Sequence, residues 1–565
     1  MEFGLKLTPS ISLNLLKEVF IFGHDKIFMQ LKRKKLIIVL LILVPLIAYL
    51  LWPLKSADFK IEDDLQALEE KRNILNSITI RPDSSKPNII LITVDDLGMA
   101  DVSLYGEGDT STPNIDRLGE QGVIFENAYV TSPVCAPSRA ALITGRYQHR
   151  FGFEFTMHER YLRNRLEYLG LRYFINSKPW EAKWMSNVPD QDNIHNQGLP
   201  LSEITIADVL KKQGYQTGII GKWHLGWSEE KRPSKFGFDE QYGFFNSHSL
   251  YTPEGTEGII DQKIEGDWTD PYIWSGQRNG PHAISKNYVE IEEKGYLTNR
   301  ITDESIAFIN NQKGEPFFLW ASYNAPHTPL QAPKEYVDRF KHIEDPVKRV
   351  YRAMISKLDD EIGRFMKYLS DNEMEENTII FFISDNGGAE YTLTTDNGRY
   401  EGGKNTEFEG GIKVPMIIRW TGSLPARQRF EPMVSSMDIF STSLASVDSE
   451  YEIGRAVDGV NLLPYLTDTL QGNPHDYLFW QRGISKAVRS NEWKLMMNDK
   501  SGEKLLYNLN TNKYETPEES ARYPEIVQHL DKEYQKWLQV HIEPHWPPVI
   551  YFFAEKDGKK YSFEQ

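Results

Sequence analysis

Three observations predict an α/β fold with a large, mainly parallel central sheet flanked by helices. First, residues 88–94, 217–221, 317–321 and 378–383 are short, nearly continuous apolar runs rich in β-branched and aromatic residues. Strands buried on both faces read this way. Second, helical patterns at 205–213, 296–311 and 347–371 separate those runs. Strands alternating with helices form parallel sheets through crossover connections. Third, polar residues follow each run directly, and open parallel sheets carry their chemistry at the carboxyl ends of their strands.

The 565 residues exceed one simple core, and two domains are expected beyond any targeting segment. The expected division is a targeting segment at 1–55, a linker at 56–85, a catalytic domain at 86–460 and a C-terminal subdomain at 461–565. Hydrophobic residues make up 40% and charged residues 25%, which is a globular composition. A single cysteine excludes an intramolecular disulfide framework. The net charge of −16 argues against nucleic acid as a partner. An anionic substrate must therefore be captured by a local cationic pocket.

Lys32-Arg33-Lys34-Lys35 precedes an apolar run over 36–53. A basic flank before a hydrophobic stretch is a targeting pattern, either a cleaved signal peptide or a retained anchor. The run ends without a clear small-x-small cleavage site, Ser56-Ala57 being a weak one, and no cysteine follows closely to carry a lipid. Met29 makes a more ordinary start than Met1. The segment is expected to engage the membrane or the export machinery, with the rest of the chain exported to the periplasm or beyond the cell.

Residues 61–85 read as a charged linker with a short helix. Residues 150–200 and 245–295 read as loop-like insertions rich in Trp, Tyr and Arg. After about residue 460, short antiparallel strands are expected at 487–489, 493–497 and 505–509, then a helix over 523–540.

The lone cysteine stands in Cys135-Ala136-Pro137-Ser138-Arg139, followed by Ala140-Ala141-Leu142-Ile143-Thr144-Gly145-Arg146. Proline and serine ahead of an Ala-Ala-Leu-Ile stretch put it at the mouth of a helix. Backbone N–H groups there favour an anion, and Arg139 adds a fixed charge. Asp95 and Asp96 end the first strand, and Asp385-Asn386-Gly387-Gly388 follows another. Adjacent carboxylates need neutralising, and two strand-end oxygen clusters on one sheet edge suit a hard cation, Ca²⁺ before Mg²⁺. Gly221-Lys222-Trp223-His224-Leu225-Gly226 places Lys222 and His224 on one side of an extended segment. His327 sits between prolines in Asn324-Ala325-Pro326-His327-Thr328-Pro329, a poor setting for core packing. Lys404 follows Gly402-Gly403, ahead of Glu409-Gly410-Gly411-Ile412-Lys413-Val414-Pro415.

These strings together resemble the type I, formylglycine-dependent sulfatases, arylsulfatase-like and of the kind that polysaccharide-degrading bacteria use. Pro137, Ser138, Arg139, Thr144, Gly145 and Arg146 stand where that family has them, and the Gly-Lys-Trp-His-Leu-Gly string is intact. The likeness covers about residues 86–510, including the C-terminal Arg489, Trp493 and Lys494 pattern. Lys413 replaces the family's usual arginine, and Leu506-Tyr507-Asn508-Leu509 varies its Leu-Tyr-Asp-Leu.

The resemblance implies an alkaline-phosphatase-like sandwich with a smaller C-terminal domain, and sulfuric ester hydrolysis. It implies that a separate maturase oxidises Cys135 to formylglycine (3-oxoalanine), whose hydrate supplies the nucleophile. Asp95, Asp96, Asp385 and Asn386 would hold Ca²⁺ together with position 135. Arg139 and Lys222 would steady that position, and His224 would take a proton in the step that releases sulfate. His327 and Lys404 would bind sulfate oxygens, one of them protonating the leaving alcohol. A sulfated oligo- or polysaccharide is the expected substrate, with Trp180, Trp184, Tyr251, Trp268, Tyr272 and Trp274 available to stack on sugar rings. The alternatives are a phosphonate or phosphate monoester hydrolase on the same fold and an inactive sugar-binding relative.

Overall fold

The computed structural model describes residues 33–55, 59, 61–79, 86–106, 108, 110–175, 179–447 and 453–565. Met29, Lys32 and Ser56-Ala57 lie outside the described residues. The chain forms two compact units, one of Met1–Lys55 with Leu162–Tyr173, the other of Ser56–Tyr161 with Phe174–Gln565. Residues 86–460 and 461–565 both fall within the second unit, apart from the 162–173 segment.

The second unit is built on a ten-stranded sheet. Its strands are β1 (Asn88–Asp95), β2 (Val123–Phe125), β3 (Gln216–Lys222), β4 (Glu240–Phe244), β5 (Ser285–Lys286), β6 (Val289–Glu290), β7 (Phe317–Pro326), β8 (Thr378–Ser384), β9 (Met416–Trp420) and β10 (Gln428–Phe430). They lie in the order β10-β2-β9-β8-β1-β7-β3-β4-β5-β6. The neighbours β8, β1, β7, β3 and β4 run parallel. β9 is antiparallel to both β8 and β2. All eight residues of β1 are buried, as its unbroken apolar run requires. The four runs read from the sequence are β1, β3, β7 and β8, and as parallel neighbours they bring their carboxyl ends to one edge of the sheet.

β7 continues to Pro326, past the end of its apolar run at Ala321. Ser322 and Asn324 interrupt the apolar pattern yet are buried, and the Ser322 hydroxyl donates to the Lys222 carbonyl over 2.6 Å. Helix Pro346–Asp371 covers one face of the sheet. Asp345 caps it by accepting from the Val347 N–H at 2.8 Å. Leu358, Ile362 and Phe365 from this helix share a core with Ile90, Ile92 and Phe382.

In the C-terminal part, strands Tyr477–Arg482, Ser485–Ser490, Trp493–Asn498 and Lys504–Asn508 form an antiparallel sheet. Helix Pro524–Leu538 packs on it through Leu530, Tyr534 and Trp537 against Val488, Leu495 and Leu506. The hairpin of Ile550–Lys556 and Lys559–Glu564 pairs with Trp180–Ala182, inside a stretch expected to be loop-like. A three-residue strand carries no readable period, and its partner lies far along the chain. The same insertion holds helix Arg165–Phe174. The short helix of the linker is Leu65–Ser77, part of the second unit, and Lys71 ties it to Asp208, its ammonium meeting Oδ2 at 2.8 Å.

Candidate active site

Two strand ends create the floor of the site. β1 delivers Asp95 and, just beyond, Asp96; β8 delivers Asp385 and Asn386. The Asn386 amide donates to Asp96 Oδ1 over 2.7 Å, and the Asp96 N–H points to Asp385 Oδ1 at 3.4 Å. Asp96 sits at φ 63°, a left-handed conformation that disfavours any residue with a Cβ. The following Leu97 N–H is held by the Ser384 hydroxyl at 3.0 Å, which fixes this turn.

Cys135 is the first residue of helix Cys135–Thr144, every residue of which is buried. Its thiol donates to Asp95 Oδ1 at 3.3 Å and lies 3.8 Å from Asp96 Oδ1. Burial, then the charges of Asp385 and Asp95, push the thiol well above its usual range. One turn on, Arg139 binds three elements at once. Its Nε donates to Asp385 Oδ2 at 2.7 Å, and Nη1 donates to the Ser322 hydroxyl at 2.7 Å and the Lys222 carbonyl at 3.1 Å.

Cations close the ring. Lys222, at the end of β3, donates to Asp95 Oδ2 at 2.6 Å. Lys404 lies 2.7 Å from Asp96 Oδ1 and 2.9 Å from Oδ2. His327 Nε2 stands 3.7 Å from Asp96 Oδ2, while its Nδ1 donates to the Thr328 carbonyl, so a neutral ring keeps Nε2 as an acceptor. His224, also left-handed at φ 55°, is buried with both ring nitrogens unpartnered. Its electrostatic neighbours are Lys222, Arg139, Lys404 and His327, which together with burial hold it neutral by lowering its pKa.

The opposing charges set the titration of the site. Burial works to raise Asp96, but Lys404 and then His327 outweigh it and hold the carboxyl below its ordinary value. Burial and the neighbouring Asp95 push Asp385 up to about 6. Burial, then Lys404, brings His327 down to about 3. Burial disfavours the Lys404 charge, but Asp96 more than offsets this and raises its pKa.

A divalent cation fits these residues. Asp95, Asp96, Cys135 and His327 offer ligand atoms all within 4.8 Å of one another. Asn386 Oδ1 is buried there without a hydrogen-bond partner. Three carboxylates and an amide oxygen form a hard donor set. His327 thus joins the expected Asp95, Asp96 and Cys135 as a possible ligand, while Asp385 Oδ2 is engaged by Arg139.

All nine separate positions singled out in the sequence, and Asn386 with them, gather here. Some contributors gave no sequence signal. Ser322 ties Arg139 to β3. Tyr251, expected to stack on a sugar, instead shares its hydroxyl hydrogen between the carbonyls of Asn324 at 2.7 Å and His327 at 2.8 Å, shaping the His327 loop. Tyr391 is half-buried beside Lys404, Asp96 and Cys135, and Trp180 and Phe552 pack edge-on against it. Polar or aromatic residues in such settings are common everywhere, so no pattern marked Ser322 or Tyr391.

The aromatic insertions require a correction. Trp274 is only 4% exposed, lies beneath the Lys263 ammonium at 3.2 Å and donates to Asp270, so it packs rather than faces outward. Trp180 and Tyr251 are buried too. Tyr272, 50% exposed, and Trp184, 40% exposed, are the outward members.

The glycine strings are junctions. A Cβ on Gly387 would lie 1.8 Å from the Gly410 carbonyl oxygen, so the Asp385 loop and the Glu409 segment touch backbone to backbone. Glu409 in turn accepts from Tyr129 at 2.6 Å and Lys494 at 3.0 Å, pinning the C-terminal sheet. Lys413 donates to Asn127, outside the ring.

Comparisons with known proteins identify the family and the fold. The sulfatase family model matches residues 87–449. Human N-acetylgalactosamine-6-sulfatase is 34% identical over 407 residues, covering 70% of this chain and 68% of that protein. An uncharacterized sulfatase, YdeN, of Escherichia coli K12 is 30% identical, covering 74% of this chain and 73% of its own. The crystal structure of Ps i-CgsB in complex with k-i-k-neocarrahexaose superposes with a TM-score of 0.68 at 32% identity, over 82% of this chain and 94% of that one. A phosphonate monoester hydrolase of Agrobacterium radiobacter, 18% identical with a TM-score of 0.54, shares the fold alone. With this alkaline-phosphatase-like sandwich and a family match spanning the whole catalytic sheet, the chain belongs to the sulfatase family and is a sulfuric ester hydrolase.

Proposed function

We propose that this enzyme is exported and removes sulfate from a sulfated carbohydrate, using a formylglycine made from Cys135 and a Ca²⁺ ion, with Mg²⁺ as the alternative. One observation carries the chemistry: Cys135 opens a buried helix 3.3 Å from Asp95, inside a ring closed by Lys222, Lys404 and His327. A small hydrophobic cysteine needs no such setting. The sugar reading is supported by a relative that acts on N-acetylgalactosamine 6-sulfate by name and by a structural neighbour solved with a neocarrahexaose.

Oxidised to formylglycine by a maturase, position 135 would supply a hydroxyl nucleophile for sulfur. A cation bound by Asp95, Asp96, Asp385 and Asn386 would supply positive charge toward the sulfate oxygens. The chain's own residues supply the rest. Arg139 and Lys222 orient position 135 and its carboxylate neighbours. His224, neutral and with both nitrogens free of protein partners, accepts a proton at the stage that frees sulfate. Lys404, and His327 once it is protonated at Nε2, bind the sulfate oxygens, and one of them delivers a proton to the leaving alcohol. Breaking S–O builds charge on that oxygen, so the clamp strengthens as the bond stretches.

The testing experiment is sulfate release from a panel of defined sulfated oligosaccharides by protein co-expressed with a formylglycine-generating or radical-type maturase. Release from at least one sugar, at a rate well above that on an aryl phosphate, is expected. Faster turnover of aryl phosphate or phosphonate monoesters would favour the reading the shared fold also allows.

A further inference from the structure

We propose that helix Arg165–Phe174 is a membrane-surface helix, seated on the bilayer where a retained N-terminal anchor emerges from it. The proposal rests on the anchored form of the export reading. Helix Arg33–Leu51 is 19 residues long, apolar enough to cross a membrane, and none of its apolar window is buried. At 1.5 Å per residue it spans about 28 Å, close to the thickness of a hydrocarbon core. Arg33, Lys34 and Lys35 hold its start on the cytoplasmic side. Tyr49 and Trp52, 57% and 68% exposed, mark its far end with the amphipathic rings favoured at the headgroup level.

The chain then returns to this point from far along the sequence. Pro53 forms an antiparallel bridge with Asn164, and the Leu54 N–H donates to the Arg163 carbonyl over 2.8 Å. The Arg165 guanidinium lies 4.4 Å from the centre of the Tyr49 ring. Asn164 caps the second helix, accepting from the Glu167 N–H at 2.9 Å. The helix therefore starts at the depth where the anchor leaves the bilayer.

Its outer face matches that location. Leu166, Leu169 and Tyr173 are 48%, 46% and 81% exposed. At 3.6 residues per turn they fall within roughly 60° of arc. Arg165 and Arg172, seven positions apart, flank the stripe on one side, and Arg163 precedes the helix. An apolar stripe edged by arginines is the pattern of a helix lying in the plane of an anionic interface. In water this stripe would remain an uncovered apolar surface. Against lipid it is buried to the depth of the acyl boundary, with the guanidinium groups at the phosphates.

The test uses the full-length chain, reconstituted into phosphatidylcholine vesicles with and without phosphatidylglycerol. A fluorophore is attached at L169C or, as a control, at the exposed position E257C, Cys135 being buried. Aryl sulfate turnover confirms that each labelled variant is folded, and carbonate extraction reports whether the N-terminal helix is inserted. Lipids with nitroxide near the headgroup are expected to quench position 169 several-fold more than position 257, and more strongly with phosphatidylglycerol present. Quenching no stronger at 169 than at 257, in carbonate-resistant protein, overturns the surface helix and leaves the anchor standing. Protein fully extracted by carbonate overturns both, with the sulfatase reading untouched.

Discussion

Arg139 and Asp385 form a fully enclosed ion pair, Nε to Oδ2 at 2.7 Å, that joins the cysteine-bearing helix to the end of β8. Neither side chain reaches solvent. The helix thus places Cys135 against the β1 carboxylates while its next turn grips the adjacent strand. Removing the guanidinium leaves a buried carboxylate without its partner. Arg139→Ala is expected to cost about 3–5 kcal/mol of stability, read by denaturant unfolding. Arg139→Lys keeps a charge but not the fork, and should lose part of this. An Ala variant within a few tenths of wild type would show the pair to be energetically idle.

The cation reading makes a separate prediction. Asp96→Ala and Asp385→Ala should each bind less divalent metal by elemental analysis and lose nearly all sulfate release, with the far-UV spectrum unchanged. A variant with wild-type metal content and rate would remove that carboxylate from the proposed set.

Position 135 should carry the aldehyde in active enzyme. Peptide mass spectrometry after co-expression with a maturase should show the thiol lost and formylglycine gained. Full activity from protein that retains only the thiol would contradict this. Cys135→Ala should be inactive while leaving the fold intact, since the site is small and the change removes one sulfur.

Much of this site was legible because strand ends write themselves into sequence. An apolar run that stops at Asp95-Asp96 or Asp385-Asn386 gives both the strand and the position of its polar end, and a parallel sheet brings those ends together. Lys222 and His327 followed from the same logic. Ser322 and Asn324 did not, because a polar residue inside a strand reads as its termination. Trp180–Ala182 did not either, since its order comes from a hairpin at Ile550–Glu564 that no local pattern reveals. The role of Trp274 was misread for a related reason. Composition identifies an aromatic but not whether Lys263 and Asp270 will cover it.

Stability should depend on pH through Glu154, a residue outside the ring. It is buried, accepts from the Gly483 N–H at 2.5 Å and shares its surroundings with Glu564. Burial, opposed by that hydrogen bond and aided by Glu564, raises its pKa from 4.5 to about 7. The folded state therefore holds a proton that the unfolded state has released between these values. Stability contributed by the neutral form is present below pH 4.5 and is lost as pH rises towards 7, by up to about 3 kcal/mol. Glu154→Gln keeps the acceptor and removes the titration, so its unfolding free energy should fall less over this window. A parallel pH profile in the variant would assign the slope to other groups.

Sugar recognition should divide the aromatic residues by exposure. Tyr272 is half exposed and packs edge-on against His248 at 5.9 Å. An exposed ring in this insertion is available to stack on a sugar. Tyr272→Ala should raise KM for an oligosaccharide several-fold, the loss of a ring contact costing about 1 kcal/mol. Turnover of a small aryl sulfate should change little, because under the proposed mechanism that substrate needs only Lys222, His327, Lys404 and a cation. Trp274→Ala should behave differently. Its ring is buried under Lys263, so the variant should lose stability and reduce both activities in proportion to unfolded protein. His327→Ala should lower kcat on both substrates, most for the poorer leaving group. Equal losses on both substrates for Tyr272→Ala would make this ring a structural support, and the contact that reads the sugar would then have to come from another surface such as Trp184.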